Sequence, residues 1–336
     1  MKAILNHLFE HKLLSKQQAK EVLFIIAKGD CNNSQIAAFL SVFLMRSVTV
    51  GELEGFRDAL LELCLRLDFS AYETIDLCGT GGDSKNTFNI STLASFVVAG
   101  AGIKVAKHGN YGVSSVSGSS NVMEYLGYKF TNDKSVLEKQ IAEVGICFMH
   151  APLFHPAMKT VAPIRKELGV KTFFNMLGPL VNPSFPKYQL TGVFNLELAR
   201  LYNYLLQQTE KQYIIVHSLD GYDEVSLTSN FKMVSKTKEQ IFEPENLGFE
   251  KLKQEDLFGG ETIKQSAEIF LNILNGAGTK AQNAVVTANA AMAIKAAHLQ
   301  PFPKGREKTL QECIAEAKES LESKKALNVF KKLIWE

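Results

Sequence analysis

The chain reads as an α/β protein in two parts: a small all-helical domain, then a larger α/β domain whose mainly parallel central sheet is flanked by helices. Three observations predict this. Residues 1–68 carry helical patterns only, strand and helix patterns alternate from Thr74 onward, and two strands run into loops crowded with glycine, serine, threonine and asparagine. The expected boundaries are 1–68 for the helical domain and 72–336 for the α/β domain.

In the helical part, Ser15-Lys16-Gln17-Gln18 is a capping box before Ala19 to Ala27, and Ser34 is the expected cap for Gln35 to Met45. Thr49-Val50-Gly51-Glu52 opens a further helix expected to reach Leu67. The segment Gln35 to Met45 is apolar nearly all round, so it must be covered on more than one side, by a subunit interface or by the centre of a small bundle.

The α/β part then alternates. Strands are expected at Ile75 to Cys78, Ile103 to Ala106, Ile146 to Met149, Gln189 to Val193, Tyr213 to His217 and Phe231 to Val234. Between and after them lie helical patterns at Thr92 to Ala99, Ser119 to Leu126, Ser135 to Val144, Pro156 to Leu168, Leu196 to Gln208, Ser266 to Leu274, Ala281 to Leu299 and Leu310 to Leu321. Gly178 to Pro183 reads as an irregular loop punctuated by prolines.

The chemistry concentrates at the ends of two strands. From Asp76 to Asn89 an apolar strand enters a Gly-Thr-Gly-Gly loop, and the run from Ile90 can open a helix. Glycine permits close backbone approach, and converging N–H groups with a helix N-terminus favour an anion, so this reads as a phosphate cradle. It is neither the Walker pattern nor a Gly-x-Gly-x-x-Gly fingerprint. A second such loop, Lys107 to Ser120, follows the next strand, and two of them suit one polyanionic ligand, such as a bis-phosphorylated sugar, held from two sides.

Composition narrows the field. Over 336 residues the apolar fraction is 46%, charged residues are 21% and the net charge is +2 with no sustained basic block, so nothing calls for nucleic acid. No apolar stretch reaches the ~20 residues that span a bilayer, and the N-terminus has no secretion signal. The five cysteines lie far apart without Cys-x-x-Cys pairs, which fits reduced residues of a cytoplasmic protein rather than a zinc site or a disulfide framework.

The motifs Gly79-Thr80-Gly81-Gly82-Asp83, Asn89-Ile90-Ser91-Thr92, Lys107-His108-Gly109-Asn110, Arg165-Lys166-Glu167-Leu168-Gly169, Phe174-Asn175-Met176-Leu177-Gly178-Pro179 and Asp223-Glu224 resemble, in that order, the anthranilate phosphoribosyltransferase family of tryptophan biosynthesis. The likeness spans nearly the whole chain. It implies a helical domain completed by helices near residues 165–185, a homodimer formed through that domain, and transfer of the phosphoribosyl group of 5-phosphoribosyl-1-diphosphate to the amine of anthranilate with Mg²⁺. No nucleic-acid or membrane partner is implied. The chain carries Tyr111, Val116 and Asn121 where the family's usual pattern has Arg, Lys and Asp.

The resemblance assigns roles. For the sugar diphosphate it implies Gly79, Gly82, Asp83, Thr87, Asn89, Ile90, Ser91, Thr92, Lys107, His108, Gly109, Asn110, Tyr111, Gly112, Val113, Ser114, Ser115 and Ser119. Anthranilate would meet Gly79, Asn110 and Arg165, whose planar fork suits a carboxylate. Ser91, Asp223 and Glu224 would hold the metal, since paired hard oxygen donors suit Mg²⁺. No acid or base is needed, because an aryl amine is neutral at pH 7 and the task is to orient it and neutralise the leaving charge. Two other readings compete. A pyrimidine-nucleoside phosphorylase shares the fold but needs no magnesium pair, and a non-catalytic nucleic-acid-binding paralogue would be expected to carry a basic groove.

Overall fold

The computed structural model describes residues 1–112, 116–299 and 307–335, so Val113, Ser114 and Ser115 of the second loop lie outside the described residues. The chain divides into two compact units, Met1–Leu67 with Ala151–Phe185, and Asp68–His150 with Pro186–Glu336.

The first unit is helical: Lys2–Phe9, Lys16–Ala27, Asn33–Met45, Val50–Leu63, Ala151–Phe154, Pro156–Leu168 and Phe174–Leu177. Reciprocal capping boxes start three of these helices, from Ser15 with Gln18, Asn32 with Gln35 and Thr49 with Glu52. Ser34 is therefore not the cap. Asn32 stands three residues before Gln35 and makes the reciprocal bonds, which leaves Ser34 inside the first turn. The fourth helix stops at Leu63 rather than Leu67, because Cys64 turns extended and the backbone N–H groups of Leu65 and Leu67 find acceptors at Phe154 and Pro183. Gly55 allows the second and fourth helices to touch, since a Cβ there would lie 2.2 Å from the Lys16 carbonyl oxygen. Phe39, Phe43, Phe56 and Phe173 fill the centre, with Phe56 stacked on Phe173 at 4.4 Å.

The second unit holds a seven-stranded sheet in the order β3-β2-β1-β4-β5-β6-β7. The strands are β1 Ile75–Gly79, β2 Val105–Gly109, β3 Ile146–His150, β4 Tyr188–Gly192, β5 Gln212–Ser218, β6 Phe231–Ser235 and β7 Glu239–Phe242. The first five are parallel, and β6 and β7 add antiparallel. Alternate residues such as Ile75 and Leu77 of β1, Ile146 and Phe148 of β3 and Ile214 and Val216 of β5 enter one apolar core with Phe96, Phe270, Val285 and Phe330 from the flanking helices. The alanines of the helix Lys280–Ala297 let it approach both the sheet and the helix Ile90–Gly100 closely.

This topology makes a site. From β1 the chain steps outward to β2 and β3, whereas β4 leads the other way to β5, so the winding reverses between β1 and β4. In open α/β sheets the carboxyl ends of the strands at such a reversal leave a crevice where ligands bind.

Candidate active site

At the reversal, Gly79 and Gly192 close β1 and β4 side by side in register. Neither tolerates a side chain. A Cβ on Gly79 would lie 2.5 Å from an Asp223 carboxylate oxygen, and one on Gly192 would lie 1.5 Å from the Asp223 main-chain oxygen. Two bare strand ends thus receive the segment that follows β5. That segment turns where the Gly221 N–H meets the Ser218 carbonyl and the Ser218 N–H meets that of Tyr222, which delivers Asp223 and Glu224 to the crevice. Gly81 and Gly82, with φ of +62° and +81°, fold the loop after β1 back so that the Gly81 N–H reaches the Asp223 carboxylate at 2.7 Å.

The electrostatics are those of crowded acids. Burial raises the Asp223 pKa to about 7, and the nearby Asp83 carboxylate adds to the effect. Glu224 is driven well above the carboxylate range by burial and then by Asp223 and Asp83, although the Ser91 backbone N–H donates to its carboxylate and opposes the rise. Burial raises Asp83 too, against a hydrogen bond from the Lys85 N–H. Ser91 and Glu224 therefore meet at the start of the helix Ile90–Gly100.

A small cavity of about 10 Å³, room for about one water-sized occupant, is lined mainly by apolar groups of Leu77, Ala94, Leu190 and Val216, with Ser91, Asp223, Glu224 and Asn289 also touching it. Among the described residues no group of three His, Cys, Asp or Glu forms a metal cage. Mg²⁺ does not need one: it is bound through one or two carboxylates while waters and phosphate oxygens fill the remaining positions. The donor set of two carboxylates and a hydroxyl, with acids that raise one another's pKa when no cation neutralises them, fits that ion.

Lys107 differs from the expectation of a cation facing phosphate. It is 1% exposed, and its ammonium donates to the Leu77 carbonyl of the adjoining strand at 2.5 Å. Burial lowers its pKa, while Cys78, Asp76 and Glu224 act to raise it. The reason is register: a residue inside a central strand projects onto the sheet rather than out from its end. Ile90 and Thr92 are likewise buried, and Thr87 is bridged to Phe258 through its backbone.

The second loop leaves β2 at the same end of the sheet as the first leaves β1. The Asn89 amide donates to the Ser117 carbonyl at 3.0 Å and ties the two loops together. The Asn110 carbonyl accepts from the Ser119 hydroxyl at 3.3 Å and the Ser120 N–H at 3.1 Å. Asn121 closes the base of the loop, accepting from the N–H groups of Gly112 at 2.9 Å and Gly118 at 3.0 Å. Tyr111 packs edge-on against His150 at 4.6 Å, and its hydroxyl donates to Glu124 at 3.3 Å. The His108 N–H donates to Asp76.

Gly79 to Thr92, Lys107 to Gly112, Ser119, Asp223 and Glu224 all belong to the second unit. Arg165 belongs to the first, near the end of the helix Pro156–Leu168. Rather than being exposed it is partly buried, which lowers its pKa, and one guanidinium nitrogen donates to Asn175 at 3.0 Å while Nε is buried without a hydrogen-bond partner. Asn175 also accepts the Thr172 N–H at 3.1 Å, so it sets the arginine's direction. Sequence reasoning missed Ser218 and Asn289, which touch the main chain beside the acidic pair. The available signal was an amide inside the run Val285 to Ile294, where Thr287 is the other polar residue.

Comparison with known proteins bears on this geometry. Residues 71–327 match a family model described as glycosyl transferase family, a/b domain, and residues 2–64 one described as glycosyl transferase family, helical bundle domain. Anthranilate phosphoribosyltransferases of Flavobacterium johnsoniae and Christiangramia forsetii are 64% and 61% identical over 333 residues, 99% of this chain and 98% of each of theirs. The crystal structure of anthranilate phosphoribosyltransferase (TrpD) from Thermus thermophilus has a TM-score of 0.89 at 31% identity, with 98% of each chain covered. That of Saccharomyces cerevisiae, in complex with PRPP and Mg, has a TM-score of 0.86 at 28% identity over 96% of this chain and 93% of that one.

Proposed function

Because the chain belongs to the glycosyl transferase family, and within it to the anthranilate phosphoribosyltransferases, we propose that the crevice over β1, β2 and β4 is where its reaction takes place. The reaction is that of a pentosyltransferase of tryptophan biosynthesis: the phosphoribosyl group of 5-phospho-α-D-ribose 1-diphosphate passes to the amine of anthranilate, giving N-(5-phosphoribosyl)anthranilate and diphosphate. The observation that carries the placement is the meeting of both loops and the acidic turn at one end of the sheet, where its winding reverses.

In this reading the backbone and side chains of both loops, Gly79 to Thr92 and Lys107 to Ser119, hold the sugar diphosphate between them. Lys107 acts from beneath, stabilising the strand end and offsetting the negative charge of Glu224. Asp223, Glu224 and Ser91 would hold Mg²⁺, which supplies charge neutralisation for the departing diphosphate. Arg165 would supply the cation for the anthranilate carboxylate, and the neutral amine attacks the ribose carbon as the diphosphate bond loosens. No side chain has to take a proton before attack.

The same reading makes the protein a cytoplasmic homodimer that binds small molecules and neither nucleic acid nor membrane. The cytoplasmic part is supported by five free cysteines. The absence of nucleic-acid and membrane partners is supported by a net charge of +2 and by there being, among the described residues, no helix long and apolar enough to cross a membrane. The homodimer is what the family resemblance implies. Purified protein given anthranilate, phosphoribosyl diphosphate and Mg²⁺ should consume anthranilate, seen as loss of its fluorescence, and release one diphosphate per turnover. Ribose 1-phosphate formation from a nucleoside and phosphate, with anthranilate untouched, would reject the reading.

A further inference from the structure

The acidic turn is held by two residues that no part of the reading above uses. Asn289, 3% exposed, lies on the helix Lys280–Ala297 and pairs with Val225 as a neighbouring strand would. Its Oδ1 accepts the Val225 N–H at 3.0 Å and its Nδ2 donates to the Val225 carbonyl at 2.9 Å. The same Nδ2 donates to the Val285 carbonyl at 2.9 Å, one turn earlier in its own helix, which fixes the plane of the amide. On the other side stands Ser218, fully buried at the end of β5. Its hydroxyl donates to the Glu224 carbonyl at 2.6 Å and accepts the Ser226 N–H at 3.1 Å.

Asparagine is a poor helix former, and a buried amide is costly unless every polar atom is satisfied. Here it is satisfied largely by the backbone of the acidic turn. Both residues grip main chain, so they can fix where the Asp223 and Glu224 carboxylates point without adding a charge or occupying a carboxylate lone pair. Asn289 also lines the small cavity that Ser91, Asp223 and Glu224 touch alongside apolar core residues.

We propose that Asn289 and Ser218 are positioning residues that hold the main chain of Asp223 to Val225 so that both carboxylates face one divalent cation. This rests on the reading of Asp223 and Glu224 as the Mg²⁺ ligands. Partners that orient metal ligands commonly govern metal affinity as strongly as some ligands do.

The experiment is a calorimetric titration of phosphoribosyl diphosphate into the full chain at a series of Mg²⁺ concentrations, with anthranilate affinity and thermal midpoint measured on the same samples. Asn289→Ala should raise the Mg²⁺ concentration for half-maximal binding about ten-fold, and Ser218→Ala about three-fold, with anthranilate affinity held within about two-fold. A merely structural role would lower the thermal midpoint and leave the Mg²⁺ requirement of the folded protein at the wild-type value, and that result overturns the proposal. Should Asn289→Ala fail to fold, Ser218→Ala decides by the same criterion. Asp223→Asn is the control for the premise. If it too keeps the wild-type Mg²⁺ requirement, the ligand assignment fails and the proposal with it; if it alone departs from wild type, only the proposal fails.

Discussion

Two charged residues carry tests of their own. Glu52 is fully buried and accepts five hydrogen bonds, two from Arg46, two from Thr49 and one from the Leu14 N–H. Burial raises its pKa, but together these donors outweigh burial and hold it below its ordinary value of 4.5. A carboxyl depressed by folding stabilises above its unfolded pKa, and that contribution disappears as pH falls through the folded one. Glu52→Gln should therefore cost about 3 kcal/mol near neutrality. The cost should shrink below pH 4.5, which thermal melts at pH 3 to 7 would register. Arg165 was legible in the sequence only as a motif position. Its partial burial and its hold on Asn175 depend on the chain returning at Thr172, which spacing alone does not reveal. Arg165→Ala should raise KM for anthranilate about thirty-fold, the loss of about 2 kcal/mol of charge-assisted hydrogen bonding, and leave that for phosphoribosyl diphosphate nearly unchanged. Equal effects on both would remove it from the anthranilate site.

Among the elements, those with a strong period were readable and those without one were not. The capping boxes at Ser15 and Thr49 and the apolar alternation of β1, β3 and β5 mark themselves, because one buried face imposes a pattern. β7 does not: Glu239 to Ile241 is an exposed edge with no buried face, and its antiparallel pairing with β6 is set by the turn before it. The final helix Lys325–Trp335 is hidden by charge continuity, since only Ser323 and Lys324, the latter in a left-handed conformation with φ +66°, separate it from Leu310–Glu322. In the helical unit, Phe173 packs on Phe39, Phe43 and Phe56 and so joins the 151–185 segment to the first four helices. Phe173→Ala should cost about 4 kcal/mol and broaden or split the melting transition. A melt indistinguishable from wild type would show that the cluster does not hold that unit together.

At the scale of the molecule, the two glycine-rich loops were expected to hold one polyanion from two sides and the acidic pair to hold its metal, but the way the fold brings the three together was not legible. It requires the strand order, which places β1 beside β4 and lets a segment from beyond β5 arrive over both. Lys107 shows the converse, a residue expected to face phosphate whose direction is fixed by the sheet rather than by the loop it precedes. On the helical unit, Phe9, Leu13, Leu44 and Met45 remain exposed, Met45 by 88%. A homodimer that covers them should appear in light scattering as twice the 37.2 kDa chain mass, and Met45→Glu should shift it toward monomer.

The account depends most on the acidic turn serving the reaction through a divalent cation. The direct test is the Mg²⁺ dependence of anthranilate consumption by the wild type and by a chain carrying both Asp223→Asn and Glu224→Gln. Wild-type turnover should rise to saturation with Mg²⁺ while the double variant loses most of its metal-dependent rate and gains little as Mg²⁺ is raised. Superimposable Mg²⁺ curves, with rates unchanged, would contradict it.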